Sequence, residues 1–337
     1  MNIDELERID TNGMYKVYEK WPEIAREHYN LKLKKIEFSG ISHIVFAGMG
    51  GSGAISDIFA AILSKTKIHV DVVKGYLLPK TVDSNSLVVT TSISGNTEET
   101  LSVLSEAHKS KCKIIAFSDN GKVEKFCREN DVEHKKIPMI HSPRASFPAF
   151  LFAMIRVLEP YLQLGEKDVE EAIIELEKQK IKISHNNLSE SNQSINLAKW
   201  ISDVPLIYYP WGLQASATRF KNSLQENAKM HAITEDIIEA CHNGIVSWEN
   251  NSEIKPILIQ GKDDFIKTKE RWEILKEFFD EKNIEYKEIH SINGNILSKI
   301  INLIYFLDYT TIYKAILSNV DPTPVKPIDF VKKKLIS

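Results

Sequence analysis

The residue types best suited to chemistry are concentrated in a glycine-rich segment, Gly-Met-Gly-Gly-Ser-Gly at positions 48–53. The apolar run 41–47 before it predicts a buried parallel strand, and apolar residues at helical spacing follow it. Glycines at a strand-to-helix turn let a ligand approach the backbone, and the helix N-terminus offers unpaired N–H groups. These groups and the helix dipole suit a phosphate. The segment therefore predicts an anion-binding site.

A second segment, Ser-Ile-Ser-Gly-Asn-Thr-Glu-Glu-Thr at positions 92–100, follows another apolar run and precedes another helical pattern. A phosphate dianion presents several strong acceptors, which need donors from more than one loop. Hydroxyl side chains on a second turn meet that need. We expect the phosphate to be held by Gly50, Gly51, Ser52, Ser92, Ser94 and Thr97.

The first segment also satisfies the dinucleotide-binding pattern, with Gly48, Gly50 and Gly53 in the required places. Asp71 follows 18 residues after Gly53, near where an acid that binds a ribose would stand. A dinucleotide-dependent oxidoreductase is therefore an open alternative, although it has no use for the hydroxyl-rich second segment.

Three further positions carry groups that could act on a bound ligand. Arg144 lies in a proline-flanked turn, where it is either an ordinary surface arginine or a fixed partner for an oxyanion. Glu226 ends a helical pattern and is either a solvated carboxylate or a base. His242 follows a short helical pattern, so it either titrates near neutral pH or caps helix carbonyls.

The composition is that of an ordinary globular protein, with 337 residues, 43% hydrophobic and 26% charged. The net charge of -3 argues against nucleic acid as the main partner. The three cysteines share no metal or disulfide spacing, so we expect no metal site and a reducing cytoplasm. The acidic N-terminus is unlike a signal peptide, and the apolar stretch 147–158 is too short to span a bilayer. We expect no membrane partner.

The hydrophobic pattern alternates between strands and helices. Strand-like runs occupy 41–47, 67–73, 86–91, 112–117 and 133–137, with helices at 52–64, 97–110 and 120–129 between them. This order predicts a parallel sheet covered by helices on both faces, and residues 1–40 are predicted to be helical. We place a first domain at 1–164, a polar helical connector at 165–192, a second α/β domain at 193–320 and a C-terminal segment at 321–337.

The two hydroxyl- and glycine-rich segments together resemble the sugar isomerase (SIS) superfamily. Over nearly its whole length the chain is similar to the bifunctional phosphoglucose/phosphomannose isomerase family, through both segments, Pro143-Arg-Ala, Gln225-Glu-Asn-Ala-Lys and His242-Asn-Gly. The resemblance implies an α/β fold with two doubly wound SIS-type domains and a C-terminal helical tail. It also implies a cytoplasmic homodimer that uses no cofactor and serves glycolysis and gluconeogenesis.

The resemblance further implies the reaction, in which glucose 6-phosphate, and mannose 6-phosphate, are interconverted with fructose 6-phosphate through a cis-enediol. Glu226 matches the base that moves the proton between C1 and C2, and Arg144 matches the residue that steadies the enediolate. His242 matches a residue that works at ring opening and enters the site from the neighbouring subunit. Lys332 best matches a C-terminal lysine that assists at the ring oxygen, with Lys326 as a competitor.

One position departs from the family pattern. Tolerance of mannose 6-phosphate is associated there with a threonine seven residues before the lysine. Counting back from Lys332 reaches Val325, and Thr323 lies two positions further away. The resemblance therefore supports glucose 6-phosphate more firmly than mannose 6-phosphate as a substrate. An amino-sugar phosphate isomerase and a non-catalytic SIS module that senses a sugar phosphate also stay open as functions.

Overall fold

The structure, a computed structural model, describes residues 1–336 of the chain. Ser337, the last residue of the predicted C-terminal segment, lies outside the described residues. The helices, in chain order, are α1 (Ile3–Ile9), α2 (Met14–Glu19), α3 (Trp21–Tyr29), α4 (Gly50–Leu63), α5 (Glu98–Lys109), α6 (Gly121–Glu129), α7 (Phe147–Leu158), α8 (Glu166–Ile183), α9 (Gln193–Trp200), α10 (Gln214–Asn227), α11 (Ile237–Ala240), α12 (Ile266–Glu281), α13 (Ile296–Leu317) and α14 (Lys326–Ile336). The strands are β1 (His43–Ala47), β2 (His69–Val73), β3 (Ser86–Ser92), β4 (Lys113–Ser118), β5 (Glu133–Lys136), β6 (Pro205–Tyr209), β7 (Ile233–Asp236), β8 (Lys255–Gln260) and β9 (Lys287–His290).

The chain forms two compact units. The five-stranded unit consists of Lys20–Leu176 and Gly294–Ile300. The four-stranded unit consists of Met1–Glu19, Glu177–Asn293 and the chain from Ile301 onward. The predicted domains are contiguous in sequence, whereas each of these units combines separate segments of the chain. The predicted boundaries stay a prediction.

The five-stranded unit is built on a parallel sheet with the order β2-β1-β3-β4-β5. Every residue of β1 and β3 is buried, as expected for strands that helices cover on both faces. The order reverses between β1 and β3. In doubly wound folds, ligands bind in the crevice outside the carboxyl ends of the strands at such a reversal. Both predicted phosphate segments follow these two strands.

The four-stranded unit repeats this plan with the order β7-β6-β8-β9, again all parallel. Its core is aromatic around Tyr208, Trp248 and Phe279. The Trp248 indole N–H donates to the Tyr208 hydroxyl at 2.9 Å, so the polar atoms of both rings are satisfied inside the core. The predicted fold class, two doubly wound α/β domains with a C-terminal helix, is confirmed.

The prediction of helix throughout residues 1–40 is wrong for its last third, because α3 ends at Tyr29 and residues 31–38 form neither helix nor strand. Two backbone N–H groups of this segment bond to other parts of the five-stranded unit. The N–H of Ile36 donates to the Val157 carbonyl at 3.1 Å, and that of Phe38 donates to the Tyr161 hydroxyl at 2.6 Å. These tertiary contacts override the local preference for helix.

One helix of the described chain, α13, is long and apolar enough to cross a membrane. However, 89% of its most apolar window is buried inside the protein. Such burial is typical of the core helix of a globular protein.

Candidate active site

The first phosphate segment lies where β1 passes into α4. Gly50, the first residue of α4, has a φ of +54°, which favours glycine. A Cβ on Gly53 would lie 2.9 Å from the Gly48 carbonyl oxygen, so the turn has no room for side chains at its base. Met49 at the N-cap makes no side-chain capping bond within the described chain. The first N–H groups of α4 therefore present an uncapped helix end to a ligand.

The second segment joins β3 to α5 and, like the first, combines an uncapped helix start with a glycine that leaves no room for a side chain. The Ser92 hydroxyl donates to Thr97 Oγ1 at 2.9 Å, and half-buried Ser94 lies between them on the loop. Thr97, the N-cap of α5, makes no side-chain capping bond in the part of the chain that the structure describes. Gly95 has a φ of +70°, and a Cβ there would lie only 1.5 Å from the Asn120 carbonyl oxygen. Glycine is therefore required at position 95.

The two segments are in direct contact with each other and with the Arg144 turn. The Ile93 N–H donates to the Ser52 hydroxyl oxygen at 3.3 Å, which leaves the Ser52 proton available to a ligand. A Cβ on Gly51 would lie 3.3 Å from the Pro143 carbonyl oxygen and 3.5 Å from the Arg144 Cα. The structure thus brings the two segments that carry the six predicted phosphate-binding residues into contact, and it places the arginine turn against Gly51.

Arg144 is buried, at 4% exposure, so the interpretation as an ordinary surface arginine is wrong. Its turn is held by Ser146, a residue that the sequence reasoning missed. The Ser146 hydroxyl oxygen accepts the Ile140 N–H at 2.7 Å and lies 2.8 Å from the Ser142 carbonyl oxygen. A serine four residues after the start of a proline-containing turn could have signalled this lock.

Glu226 lies near the C-terminal end of α10, in the four-stranded unit, and is half-buried. Its helix carries a polar face formed by residues 219, 223 and 227, which recur at helical spacing and bond to α13. Arg219 Nη2 donates to Asp308 Oδ2 at 2.7 Å, and the Ser223 hydroxyl donates to Asp308 Oδ1 at 2.7 Å. Asn227, next to Glu226, donates from Nδ2 to Thr311 Oγ1 at 2.8 Å. These bonds fix the helix that carries Glu226.

The Arg219–Asp308 ion pair has side chains only 3% and 0% exposed. Burial is the largest single influence on the pKa of Arg219 and lowers it, but the charge of Asp308, its hydrogen bonds and the other facing groups together outweigh burial and leave this pKa above its ordinary value. The carboxylate of Glu226 adds to the same rise.

Lys229 connects the end of α10 with the chain that leads into α14. Its ammonium donates to the Glu226 carbonyl oxygen at 2.6 Å and to the Pro322 carbonyl oxygen at 3.1 Å. The next residue, Thr323, is half-buried and donates its N–H to Asp321 Oδ1 at 2.9 Å. Lys332 lies on α14, where its side chain is exposed. The same four-stranded unit therefore holds the predicted base and the C-terminal lysines.

His242 is exposed and directly follows the last turn of α11. Its N–H donates to the Glu239 carbonyl oxygen at 2.8 Å, and Asn243 Nδ2 donates to Glu239 Oε1 at 2.6 Å. A Cβ on Gly244 would lie 2.3 Å from Glu235 Oε1. Burial, and then the charge of Glu239, raises the pKa of Glu235. The loop that follows His242 thus packs at Gly244 against the carboxyl group of Glu235, a residue that the sequence reasoning missed.

The predicted site residues are divided between the two units. Arg144 and the phosphate segments belong to the five-stranded unit, and Glu226, His242 and Lys332 belong to the four-stranded unit. Asp71 lies within β2, where its Oδ2 atom is 3.0 Å from His43 Nε2 at the amino end of β1. A ribose-binding acid would lie near the carboxyl end of its strand. This placement removes the support that Asp71 lent to the dinucleotide alternative.

Comparison with known proteins identifies both units. Residues 37–158 match the SIS domain, and residues 190–335 match the bacterial phospho-glucose isomerase C-terminal SIS domain. The chain is 33% identical over 312 residues to the bifunctional phosphoglucose/phosphomannose isomerase of Caldicellulosiruptor bescii, in an alignment that covers 89% of this chain and 91% of the relative. It is 27% identical over 249 residues to the D-glucosamine-6-phosphate 4-epimerase of Sulfolobus acidocaldarius, covering 73% and 77%.

The fold of the chain also resembles that of solved structures. The crystal structure of the hypothetical protein TT0462 from Thermus thermophilus aligns with a TM-score of 0.73 at 14% identity, covering 99% of this chain and 94% of that one. Similarity at that identity concerns the fold alone, whereas the Caldicellulosiruptor relative shares sequence over most of both chains. The chain therefore belongs to the bifunctional phosphoglucose/phosphomannose isomerase family, whose two SIS domains it carries.

Proposed function

We propose that this protein is an aldose–ketose isomerase that interconverts glucose 6-phosphate and mannose 6-phosphate with fructose 6-phosphate. The observation that carries the proposal is the convergence of two uncapped helix ends and their hydroxyls at the carboxyl ends of β1 and β3. The bond from the Ile93 N–H to Ser52 joins the two segments. Family membership supplies the sugar. The enzyme would act in the cytoplasm, in glycolysis and gluconeogenesis.

The phosphate of the substrate is held by the backbone of Gly50 and Gly51 and by the hydroxyls of the two segments, Ser52, Ser92, Ser94 and Thr97. This group is remote from C1 and C2, so its binding energy serves to position the reacting carbons. The chemistry itself is proton transfer, which side chains carry out without a metal or redox cofactor.

Glu226 is the base in this proposal. One carboxylate moves the proton between C2 and C1 across one face of a cis-enediol, and Arg144 stabilises the oxyanion that develops. The burial of Arg144 and the Ser146 lock support this assignment, since a preorganised cation needs no rearrangement during the reaction. Bonds from α10 to α13 likewise support Glu226, because they hold its helix in one place.

His242 and Lys332 act at ring opening in this proposal, with Lys326 as the competitor of Lys332. We propose that the protein is a homodimer in which His242 enters the neighbouring subunit's site. The exposure of its imidazole supports the idea, since a side chain that serves another subunit must be accessible on its own. Family membership supports mannose 6-phosphate as a substrate, and the Lys229 and Asp321 contacts hold the Thr323 loop beside the end of the Glu226 helix.

An amino-sugar phosphate is the second candidate substrate. It is favoured by the 27% identity to a relative named D-glucosamine-6-phosphate 4-epimerase. A non-catalytic sensor would keep the phosphate segments without needing Glu226. Purified enzyme should therefore be given fructose 6-phosphate and glucosamine 6-phosphate in parallel, with each product followed separately.

Glu226→Gln is the decisive variant because it keeps the size of the side chain and removes the basic oxygen. Turnover of fructose 6-phosphate should fall at least about 10²–10⁴-fold, while a sugar-phosphate inhibitor still binds. Solvent deuterium incorporation at C2 should fall with it. Glu270→Gln, an exposed change in the same unit, is the control. A Glu226→Gln enzyme that keeps more than about a tenth of parental turnover would refute the role of this base.

A further inference from the structure

Two histidines and an aspartate meet at the amino ends of β1 and β2, far from the phosphate segments. His43 opens β1 and His69 opens β2, and the two residues are paired in the register of the sheet. Asp71 lies two residues after His69, so its side chain points to the same face of the sheet. Each of the three residues offers one ligand atom, an imidazole nitrogen or a carboxylate oxygen, and these atoms all lie within 4.8 Å of one another. They form a compact three-ligand cluster.

The two distances from Asp71 to the histidines are close to those between the ligands of a tetrahedral metal ion. Asp71 Oδ2 is 3.0 Å from His43 Nε2 and 3.6 Å from His69 Nε2. Ligands bound at about 2.0–2.1 Å from a tetrahedral zinc ion are separated by roughly 3.4 Å. The two distances from Asp71 lie within a few tenths of an ångström of this separation, and the ligand atoms of the two histidines, within 4.8 Å of each other, would draw together around an ion. A single ion would then touch three protein atoms.

The hydrogen bonds behind His43 orient its ring for this purpose. The Ser86 hydroxyl donates to Asp83 Oδ1 at 3.0 Å, so toward His43 Nδ1, 3.2 Å away, it acts as an acceptor. In the tautomer that donates from Nδ1 to Ser86, the Nε2 lone pair of His43 faces the cluster. A second group that fixes the tautomer in this way accompanies most metal-bound histidines.

The lone pair of His43 Nε2 then faces a carboxylate oxygen at 3.0 Å, and two acceptors at this distance repel unless a cation lies between them. A proton bridges only two atoms, whereas a metal ion bridges all three. The burial of the side chains is graded, at 9% exposure for His43, 35% for Asp71 and 68% for His69. The open side leaves room for a water as the fourth ligand.

We propose that His43, His69 and Asp71 form a binding site for zinc or a similar first-row divalent ion. Two imidazoles and a carboxylate suit such ions, rather than magnesium or calcium, which prefer oxygen ligands. The ion joins the edge strand β2 to β1. It is separated from the phosphate segments by the length of β1, roughly 15 Å for five residues, so it does not touch the substrate. Its role is structural and independent of the proposed isomerase reaction.

The test uses the full-length chain without an affinity tag, stripped with EDTA, and Zn²⁺ as the probe. Zinc binding is measured by competition with a chromophoric chelator, and the unfolding midpoint is followed with and without zinc. The informative variants are His69→Ala and Asp71→Asn, because both side chains are exposed enough for the fold to survive. The matched control is His108→Ala, an exposed histidine of the same unit whose ring contacts Phe126.

We expect the parent chain and His108→Ala to bind one equivalent of zinc and to unfold at a higher temperature with it. His69→Ala and Asp71→Asn should lose at least tenfold in affinity and gain no stability from zinc. Ser86→Ala, which removes the orienting hydroxyl together with its bonds to Asp83, should weaken zinc binding about 10–100-fold. Absence of zinc binding to the parent, or equal binding to the ligand variants, would overturn the site. Loss of turnover on zinc removal would overturn its independence from the reaction.

Discussion

Asp308→Asn should destabilise the four-stranded unit far more than a typical single substitution does. Asp308 is 0% exposed and accepts bonds from Arg219 Nε at 3.0 Å, Arg219 Nη2 at 2.7 Å and the Ser223 hydroxyl at 2.7 Å. Asparagine keeps the shape but removes the charge, so the guanidinium of Arg219 stays buried without its carboxylate. Breaking a buried ion pair in this way costs about 3–5 kcal/mol. That is a large part of the roughly 5–15 kcal/mol by which proteins are stable.

The assay is urea unfolding of the parent and the variant, followed by the fluorescence of the four-stranded unit's tryptophans. Glu270→Gln is the control, because it breaks an exposed pair with Lys267 and should cost at most about 1 kcal/mol. Replacing both partners, as Arg219→Met with Asp308→Leu, should restore much of the stability, since no buried charge remains. If Asp308→Asn costs no more than Glu270→Gln, the pair does not anchor α10 and the reasoning about Glu226 loses its support.

Three further predictions concern the proposed site. Ser52→Ala should weaken sugar-phosphate binding by about 1–3 kcal/mol, which is the cost of one hydrogen bond to a charged group. Calorimetry with a sugar phosphate and with NAD checks this, and NAD should bind neither the parent nor the variant. Tight NAD binding would contradict the sugar-phosphate site. Gly95→Ala should abolish measurable phosphate binding, because its Cβ would overlap the Asn120 carbonyl, whereas Gly75→Ala, where a Cβ meets no atom within 4 Å, should bind normally. Mixing inactive Glu226→Ala and His242→Ala chains should restore part of the turnover if His242 serves the partner subunit, and verified heterodimers without activity would place it in its own subunit's site.

Much of the fold follows from local patterns, and the structure shows why. The run predicted as a strand at 86–91 is β3, Ser86–Ser92, and the helix predicted at 97–110 is α5, Glu98–Lys109. Hydrophobic periodicity is a property of residues close in sequence, so it predicts strands and helices without any knowledge of distant contacts. The segment 31–38 failed as a helix for the opposite reason, because its N–H groups bond to Val157 and Tyr161, more than 100 residues away.

For the candidate site, too, the sequence predicts one part and the tertiary structure decides the other. The residue types that suit a phosphate, and their place after two apolar strands, are visible in the sequence alone. Their convergence depends on the order of the sheet, in which β3 lies beside β1 while β2 takes the edge. The burial of Arg144 was missed, since a lone arginine in a turn is usually exposed and its low exposure is a property of the folded chain.

The sequence by itself determined the alternation of strands and helices, the two hydroxyl-rich turns and the family. Only the tertiary structure decided which distant side chains meet. Asp308 lies 89 residues from Arg219, and Asp71 lies 28 residues from His43, yet each pair is in direct contact. Neither spacing matches a local motif, because helix packing and strand register set such contacts. These long-range arrangements hold the Glu226 helix in place and create the cluster at the amino ends of β1 and β2.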